Sequence, residues 1–311
     1  MGMEILKPGP LTTVQDEGRF GYMKYGIGSS GVMDRKAYKA ANELVGNSGG
    51  EAVLEATLMG PDIRFNEEAI IAVTGADMNP DIDGENIELY KSVRVHRGQT
   101  LHMAMAVKGC RSYIAVRGGI DVEKVMGSRS TNLKCGIGGY QGRKLEKGDI
   151  LTIGITDDLD DHEIEMLNHK KISAEEFESE ITVRVIEGPQ DNYFTEKGLE
   201  SFYNTGYRVS AESDRMGIRL DGAVVESKNG TDIVSDGITF GSIQVPSSGK
   251  PIILMADHQT TGGYAKIATV VSEDLSLLAQ ARPGDTVKFK KTTIEYMQHR
   301  RSKWGRIFKW I

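Results

Sequence analysis

A succession of short apolar stretches fills the chain from Glu51 to Ile155, and Gly, Asn and Asp residues separate them. Turn residues, rather than helical patterns, lie between the stretches. This spacing predicts a barrel or sandwich of strands and argues against a parallel sheet that alternates with helices. The predicted strands are Val53–Leu58, Ile63–Phe65, Ala69–Thr74, Ile87–Tyr90, Val93–Val95, Thr100–Val107, Ser112–Val116 and Ile150–Ile155.

Strands return in the second half of the chain, at Ile181–Glu187, Tyr207–Ala211, Ile218–Leu220, Ile238–Val245, Ile252–Ala256, Ile267–Val271 and Val287–Lys290. One local pattern, a Gly turn directly before a strand, occurs three times, at 97–101, 147–151 and 283–287, and so in both halves of the chain. The repeat is compatible with two related β units and equally with reuse of a common turn. We therefore predict a mostly β fold with a few helices, arranged as two β units.

Helical signals are few. An apolar face at helical spacing consists of Ala37, Ala40, Ala41, Leu44 and Val45. Asp34 is placed to cap this helix and Gly46 to end it. A later helix is predicted to begin with Ser272 as its N-cap. The prolines at 8 and 10 limit residues 5–14 to an edge strand or a lead-in.

Changes in composition divide the chain. We predict a glycine-rich segment, a helix and a β unit over 1–156, an acidic, partly helical linker over 157–180, and a second β unit over 181–290. Residues 291–311 form a basic, aromatic tail. It could bind an acidic partner or a membrane face, but a terminal helix packed on the body is the simpler interpretation.

The composition excludes several classes of protein. A net charge of −6 argues against nucleic acid as the main partner. Cys110 and Cys135 form no disulfide framework, which is typical of a reducing compartment. We find neither a signal-peptide pattern nor an apolar run long enough for a membrane span, so we expect a cytoplasmic protein with no membrane association. The histidines lack the spacing of metal ligands, and we predict no metal site.

A polar insert separates the predicted strands Ile252–Ala256 and Ile267–Val271. It runs from Asp257 to Lys266 and contains two adjacent glycines. A hairpin needs only two to five turn residues, so an insert of this length is typical of a binding or catalytic loop on a rigid scaffold. A solvated hairpin loop is the alternative.

Other motifs are weaker. Residues 26–31 match G-x-G-x-x-G, but no strand directly precedes them, so a dinucleotide site is not predicted. Residues 241–251 resemble a P-loop only superficially, because Pro251 stands where Ser or Thr is required. No G-x-S-x-G elbow supports a hydrolase triad. Arg215 and Arg219 flank a Gly turn, where they could hold a carboxylate or form local ion pairs; both interpretations stay open.

Seven motifs, taken together and in order, resemble the biotin-dependent carboxyltransferase family of KipA-like proteins, also called allophanate hydrolase subunit 2 or the C subunit of 5-oxoprolinase. The resemblance covers roughly residues 4–290. The motifs are Gly9–Asp16, Gly18–Tyr22, Ser30–Asp34, Thr74–Asp77, Ser213–Gly217, Gly241–Pro246 and Gln259–Tyr264.

The resemblance implies a cyclophilin-like β-barrel architecture and action within a complex. The expected partners are a KipI-like protein (the B subunit of 5-oxoprolinase) and a LamB/YcsF-like protein (its A subunit). The expected activity is an ATP-dependent 5-oxoprolinase, which opens the cyclic amide of pyroglutamate, with ATP bound together with the partner proteins. One alternative is transfer of a carboxyl group from carboxybiotin to a urea-like nitrogen, with biotin supplied by a partner carrier. Another is a non-enzymatic antagonist of a KipI-like histidine kinase inhibitor.

This chemistry suggests roles for named side chains, because negative charge that develops on a carbonyl oxygen needs positioned donors. Catalytic roles are expected for Asp257, which would orient a group or accept a proton, and for Gln259 and Lys266. Lys266 or Arg215 would hold a substrate carboxylate. The remaining substrate-binding residues are expected to be Gln244, His258, Thr260, Thr261, Gly262, Gly263 and Tyr264, with Arg19, Tyr22 and Asp34 as a second wall of the site.

The chain departs from the family pattern at a few positions. The family usually has Arg where this chain has His258, Pro where it has Ala265, and Pro near Ser29. Loss of a fixed guanidinium at 258 leaves a group that can titrate near neutral pH, which affects the prediction of substrate more than that of fold. The chain also lacks an Ala-Met-Lys-Met biotin attachment motif and any recognisable ATP motif.

Overall fold

A computed structural model describes residues 2–155, 157, 160–169, 172 and 176–299. The chain forms two compact units, Met1–Glu178 and Ser179–Ile311. Strands predominate in both, so the predicted mostly β architecture with a few helices is confirmed. None of the helices among these residues is long and apolar enough to cross a membrane.

The first unit contains strands β1 to β11 in two sheets. Their bounds are β1 Met3–Lys7, β2 Thr12–Gln15, β3 Val53–Thr57, β4 Asp62–Phe65, β5 Ala69–Asp77, β6 Asp81–Ile82, β7 Glu85–Asn86, β8 Ser92–Val95, β9 Thr100–His102, β10 Lys108–Val116 and β11 Ile150–Leu151. One sheet has the order β11-β1-β4-β9-β6-β7 and the other β2-β3-β10-β5-β8. Helix α1 spans Arg35–Leu44 and helix α2 spans Asp161–Asn168.

The second sheet of this unit lies between two apolar clusters. One face contributes Leu54, Val73 and Ile114 to a core shared with residues of the first sheet such as Ile5 and Ile63. The alternate residues of the same strands pack against α1 in a separate cluster. Burial on both faces explains the near-continuous apolar sequence of β5, whose first eight residues are all buried.

Helix α1 begins as predicted, with Asp34 as its cap. The Asp34 Oδ1 atom accepts hydrogen bonds from the backbone N–H groups of Lys36 and Ala37, each at 3.0 Å. Within the acidic segment, Asp160 and Glu163 form a capping box for α2. Ile164 is buried in the cluster around α1, which packs this part of the segment on the first unit.

Several predicted elements of the first unit were wrong. Strand β1 pairs with β4 and β11 and is therefore not an edge strand, because both prolines fall in the connection to β2. Residues 87–90 form no strand, since Tyr90 has a φ of 59°. The strand predicted to end at Val107 stops at His102, and the one predicted to end at Ile155 stops at Leu151.

The second unit contains strands β12 to β20. Their bounds are β12 Glu180–Glu187, β13 Tyr207–Val209, β14 Gly217–Asp221, β15 Asp232–Gly237, β16 Ser242–Gln244, β17 Ile252–Leu254, β18 Thr261–Tyr264, β19 Lys266–Val270 and β20 Thr286–Lys291. Seven of them close a barrel in the order β12-β19-β16-β17-β14-β13-β20, and β15 and β18 form a separate two-stranded sheet. The predicted barrel is thus present, with strands shorter than expected at Ile238–Val245 and Tyr207–Ala211.

Two helices accompany the barrel, α3 at Glu196–Asn204 and α4 at Leu275–Ala279. Helix α3 escaped prediction, although the Thr195 hydroxyl caps it by accepting a 3.0 Å hydrogen bond from the N–H of Gly198. The prediction that Ser272 is an N-cap was wrong, because 272–274 form a 3-10 turn without a side-chain cap. Residues 294–299 are helical, and the tail beyond 299 lies outside the described residues.

Candidate functional site

The polar insert 257–266 is not the open loop that the sequence predicted. Its residues Thr261–Tyr264 form β18, which pairs antiparallel with β15, so that Gly262 lies opposite Asp236 and Gly237 opposite Thr261. We call these two strands the ribbon. The prediction failed because the partner strand Asp232–Gly237 is mostly polar and exposed and carries no apolar alternation.

Lys266 is a buried cation beneath the ribbon. It is 4% exposed although it begins a barrel strand, and its Nζ atom lies 2.5 Å from Oδ2 of Asp236 and 3.3 Å from the carbonyl oxygen of Gly237. The ammonium lowers the pKa of the Asp236 carboxyl group, with the Gly237 N–H as the next contribution. The ribbon therefore supplies the counter-charge for a lysine that belongs to the barrel.

Gln190 completes the surroundings of this ion pair. Its Oε1 atom accepts a 3.1 Å hydrogen bond from the backbone N–H of Lys266. The Gln190 side chain also makes the smallest contribution to the lowered pKa of the Asp236 carboxyl group. Neither Gln190 nor Asp236 was predicted from the sequence, because neither stands in a recognisable motif.

Gln244 lies beside Lys266 and beneath the ribbon. The two residues are directly opposite each other in the pairing of β16 with β19. The Gln244 Nε2 atom donates a 3.2 Å hydrogen bond to the carbonyl oxygen of Tyr264. A Cβ atom at Gly262 would come within 2.4 Å of this nitrogen, so the absence of a side chain at 262 lets the ribbon lie on the Gln244 amide.

Arg215 and Asp257 form a buried, bidentate ion pair. The Arg215 Nε atom lies 2.9 Å from Asp257 Oδ2, and Nη2 lies 3.2 Å from Oδ1. The backbone N–H of Asp257 also donates to the Arg215 carbonyl oxygen at 2.8 Å. Arg215 was expected either to hold a ligand carboxylate or to form a local ion pair on a surface hairpin. The structure shows an ion pair, and it lies in the interior of the protein.

His258 is also buried, with 4% of its surface exposed. Its Nδ1 atom lies 2.5 Å from the carbonyl oxygen of Gln259. Burial lowers the pKa of the imidazole below 6.5, and the hydrogen bond to the Gln259 carbonyl and the charge of Asp257 act in the opposite direction. The imidazole is therefore neutral at physiological pH and donates from Nδ1 to the carbonyl oxygen.

The other predicted residues of the insert are more accessible. Gln259, Thr261 and Tyr264 are exposed, and Thr260 and the two glycines are partly buried. The Thr260 carbonyl oxygen accepts a 3.2 Å hydrogen bond from the N–H of Ile238, which ties the start of the ribbon together. The structure thus brings Lys266, Gln244 and Gly262 together beneath and within the ribbon.

The predicted second wall belongs to the first unit. Arg19 is almost fully buried, and its Nη2 atom donates a 2.5 Å hydrogen bond to the carbonyl oxygen of Ser130. Asp34 caps α1, and Tyr22 is partly buried. Since the polar insert belongs to the second unit, the expectation that the two segments form one site stays a prediction.

The glycine-rich segment 26–31 follows a 3-10 turn, Met23–Tyr25, and not a strand. No strand therefore directly precedes this segment. Among the residues that the structure describes, no group of three or more His, Cys, Asp or Glu side chains is placed to hold a metal ion.

The second unit is thus a closed β-barrel that carries a polar two-stranded ribbon, with the buried side chains of Lys266 and Gln244 in contact with that ribbon. The sequence matches the model of the family described as "Carboxyltransferase domain, subdomain A and B" over residues 25–291. The chain belongs to this family, which confirms the resemblance drawn from its motifs.

Individual relatives agree with this assignment. The chain is 36% identical to the C subunit of the 5-oxoprolinase of Escherichia coli (strain K12) over 94% of its own length and 92% of that protein. It is 33% identical to urea amidolyase of Saccharomyces cerevisiae, covering 94% of this chain and 17% of that one. The crystal structure of the K. lactis urea amidolyase superposes with a TM-score of 0.84 at 31% identity, covering 94% of this chain and 19% of the other.

Proposed function

We propose that this chain is one component of an ATP-dependent 5-oxoprolinase, which hydrolyses the cyclic amide of pyroglutamate to give glutamate. The observation that carries the proposal is the extent of the match with the C subunit of 5-oxoprolinase, which the chain covers over 92% of its length. By contrast, the chain corresponds to 17% of a urea amidolyase. A match over nearly the whole of a curated relative supports a shared role better than a match to one part of a larger enzyme.

The residues of the second unit support this chemistry. Opening a lactam builds negative charge on its carbonyl oxygen, which amide donors such as those of Gln244 and Gln259 can stabilise. We assign the carboxylate of the substrate to Lys266 rather than Arg215, because the carboxylate that engages Arg215 is itself buried, whereas the Asp236 side chain that engages Lys266 is 56% exposed. For the same reason we assign Asp257 an orienting role: both of its oxygens accept from Arg215, and its backbone continues directly into His258 and the ribbon.

ATP and the remaining catalytic groups would come with the partner proteins, a KipI-like B subunit and a LamB/YcsF-like A subunit. The test is pyroglutamate-dependent hydrolysis of ATP by the reconstituted complex. We expect turnover only when all the components are present, and a loss of at least about tenfold with Gln259→Ala. Absence of turnover with intact partners would contradict the proposed activity, and full activity of the variant would contradict the role of Gln259.

Transfer of a carboxyl group from carboxybiotin is the second candidate, because the matching family model is named for a carboxyltransferase domain and the superposed structure is a urea amidolyase. It requires a biotinylated carrier supplied by a partner. Avidin separates the two candidates, since it would inhibit a biotin-dependent transfer and leave an ATP-dependent 5-oxoprolinase unaffected.

A further inference from the structure

The carboxylate of Asp236 lies in a receptor of the kind that proteins build for anionic ligands. Its Oδ2 atom accepts from the Lys266 ammonium at 2.5 Å, and its Oδ1 atom accepts from the backbone N–H of Gly237 at 2.8 Å. The Gln190 side chain lies beside this ion pair, because its Oε1 atom accepts a hydrogen bond from the backbone N–H of Lys266. One ammonium and one neutral N–H donor on the two oxygens of a carboxylate are a charge-assisted arrangement.

The two charged residues of this ion pair, Lys266 and Asp236, differ in their exposure and in their place in the fold. The Lys266 side chain is 6% exposed and the Asp236 side chain 56%. Lys266 belongs to the barrel, and its backbone holds the Gln190 side chain in position. Asp236 belongs to the ribbon, a separate sheet whose strand β15 is mostly exposed. The ammonium is therefore a fixed part of the barrel, whereas the carboxylate and the Gly237 N–H that binds it belong to an outlying element.

A buried ammonium without a counter-charge is costly, so a carboxylate must accompany Lys266 whether or not a ligand is bound. Asp236 meets this need from within the chain. A ligand carboxylate of the same size and charge could replace it without loss of the ion pair. The Gln244 amide, opposite Lys266 in the barrel, lies next to this position and under Gly262, the partner of Asp236 in the ribbon.

We propose that Lys266 and Gln190 form a subsite for a small carboxylate and that Asp236 occupies it as an internal substitute until the ligand displaces it. This inference rests on the proposed function, in which the ligand carboxylate is that of 5-oxoproline. Displacement moves the ribbon away from Lys266 and leaves the Gln244 amide beside the bound ligand. The internal carboxylate reduces the apparent affinity for every competing carboxylate, because each of them must displace Asp236 in order to bind.

The test is calorimetric titration of the full chain with 5-oxo-L-proline, acetate and the neutral amide of 5-oxo-L-proline. Asp236→Asn removes the competing charge and keeps the shape of the side chain. We expect this variant to bind the two carboxylates at least about tenfold more tightly than the natural chain does, and to leave binding of the neutral amide unchanged. Asp232→Asn, on the same strand, is the matched control and should behave like the natural chain.

Lys266→Met should abolish binding of both carboxylates. If this variant does not fold, Gln190→Leu provides the second measurement and should weaken carboxylate binding at least about fivefold by removal of an amide donor. Unchanged or weaker carboxylate binding by Asp236→Asn would overturn the inference. Equal tightening of acetate and 5-oxo-L-proline would support the subsite. The proposed function is judged separately, by turnover of the reconstituted complex, so the two failures are distinguishable.

Discussion

The Arg215 guanidinium holds the Asp257 carboxylate through two hydrogen bonds in the interior of the second unit, and the side chains of the two residues are 4% and 7% exposed. The pair joins the turn before β14 to the residues that follow β17. It therefore fixes the point at which the chain leaves the barrel to enter the ribbon. Their buried contact predicts a structural role that can be measured separately from catalysis.

Asp257→Asn should destabilise the second unit by about 3–5 kcal/mol, because it removes the carboxylate charge that faces a buried guanidinium. Urea unfolding followed by circular dichroism measures this change. The double variant Arg215→Met, Asp257→Leu, which removes both charges, should recover much of the lost free energy of unfolding. A single variant as stable as the natural chain would contradict the importance of the pair.

The two glycines of the ribbon offer a matched comparison. Gly262→Ala should displace the Gln244 amide, lose its hydrogen bond to Tyr264 and cost about 1 kcal/mol in the free energy of unfolding. Gly263→Ala should cost less, since the nearest atom to the added Cβ would be 3.6 Å away. Amide hydrogen exchange of β18 should accelerate in the first variant alone. Equal exchange in the two variants would argue against contact between Gly262 and Gln244.

Burial of His258 predicts that stability depends on pH. The pKa of the imidazole is lower in the folded chain than its ordinary value of 6.5, so the unfolded chain binds more protons below that pH. The stability that the neutral His258 imidazole contributes is fully present above pH 6.5 and is lost as the pH falls through the pKa of the folded chain. His258→Gln should therefore flatten the decline in the free energy of unfolding between about pH 7 and pH 5.

Asp34 can be tested for a role beyond capping. Asp34→Ala removes the cap of α1 and should cost about 1 kcal/mol in the free energy of unfolding. Asp34→Asn keeps a capping oxygen and removes the charge, so its stability should remain close to that of the natural chain. Loss of turnover with Asp34→Asn in the assembled complex would support substrate binding by Asp34; full turnover would leave it as a helix cap alone.

The fold was predictable where local signals and tertiary structure agree. Asp34 and the apolar face that follows it specified α1, because a cap and helical spacing act within a few residues. The Gly turns at 98, 148 and 284 all have positive φ values and each precedes a strand. The barrel of the second unit was expected from the family resemblance, whereas the order of its strands depends on pairings between residues far apart in sequence.

The site was less predictable. Lys266 and Gln244 could be named from the sequence, but Asp236 and Gln190 could not. The strand of Asp236 contains polar residues that solvate well on an exposed ribbon, so it lacks the apolar alternation that indicates a strand. The contacts of Gln190 and Asp236 with Lys266 bring together residues 76 and 30 positions apart. Side chains that come into contact only after the whole unit has folded produce no local sequence pattern that could predict the contact.

The first and last strands of the barrel, β12 and β20, are neighbours that run parallel, with Ile181 opposite Val287 and Val185 opposite Lys291. During synthesis β12 therefore has no β20 to pair with until the ribosome has added residue 291, and the barrel cannot close before then. Contacts between such distant parts of a sequence form slowly, because a long loop must be ordered before they can stabilise it. We thus expect closure of the ring to be a late, rate-limiting event in folding.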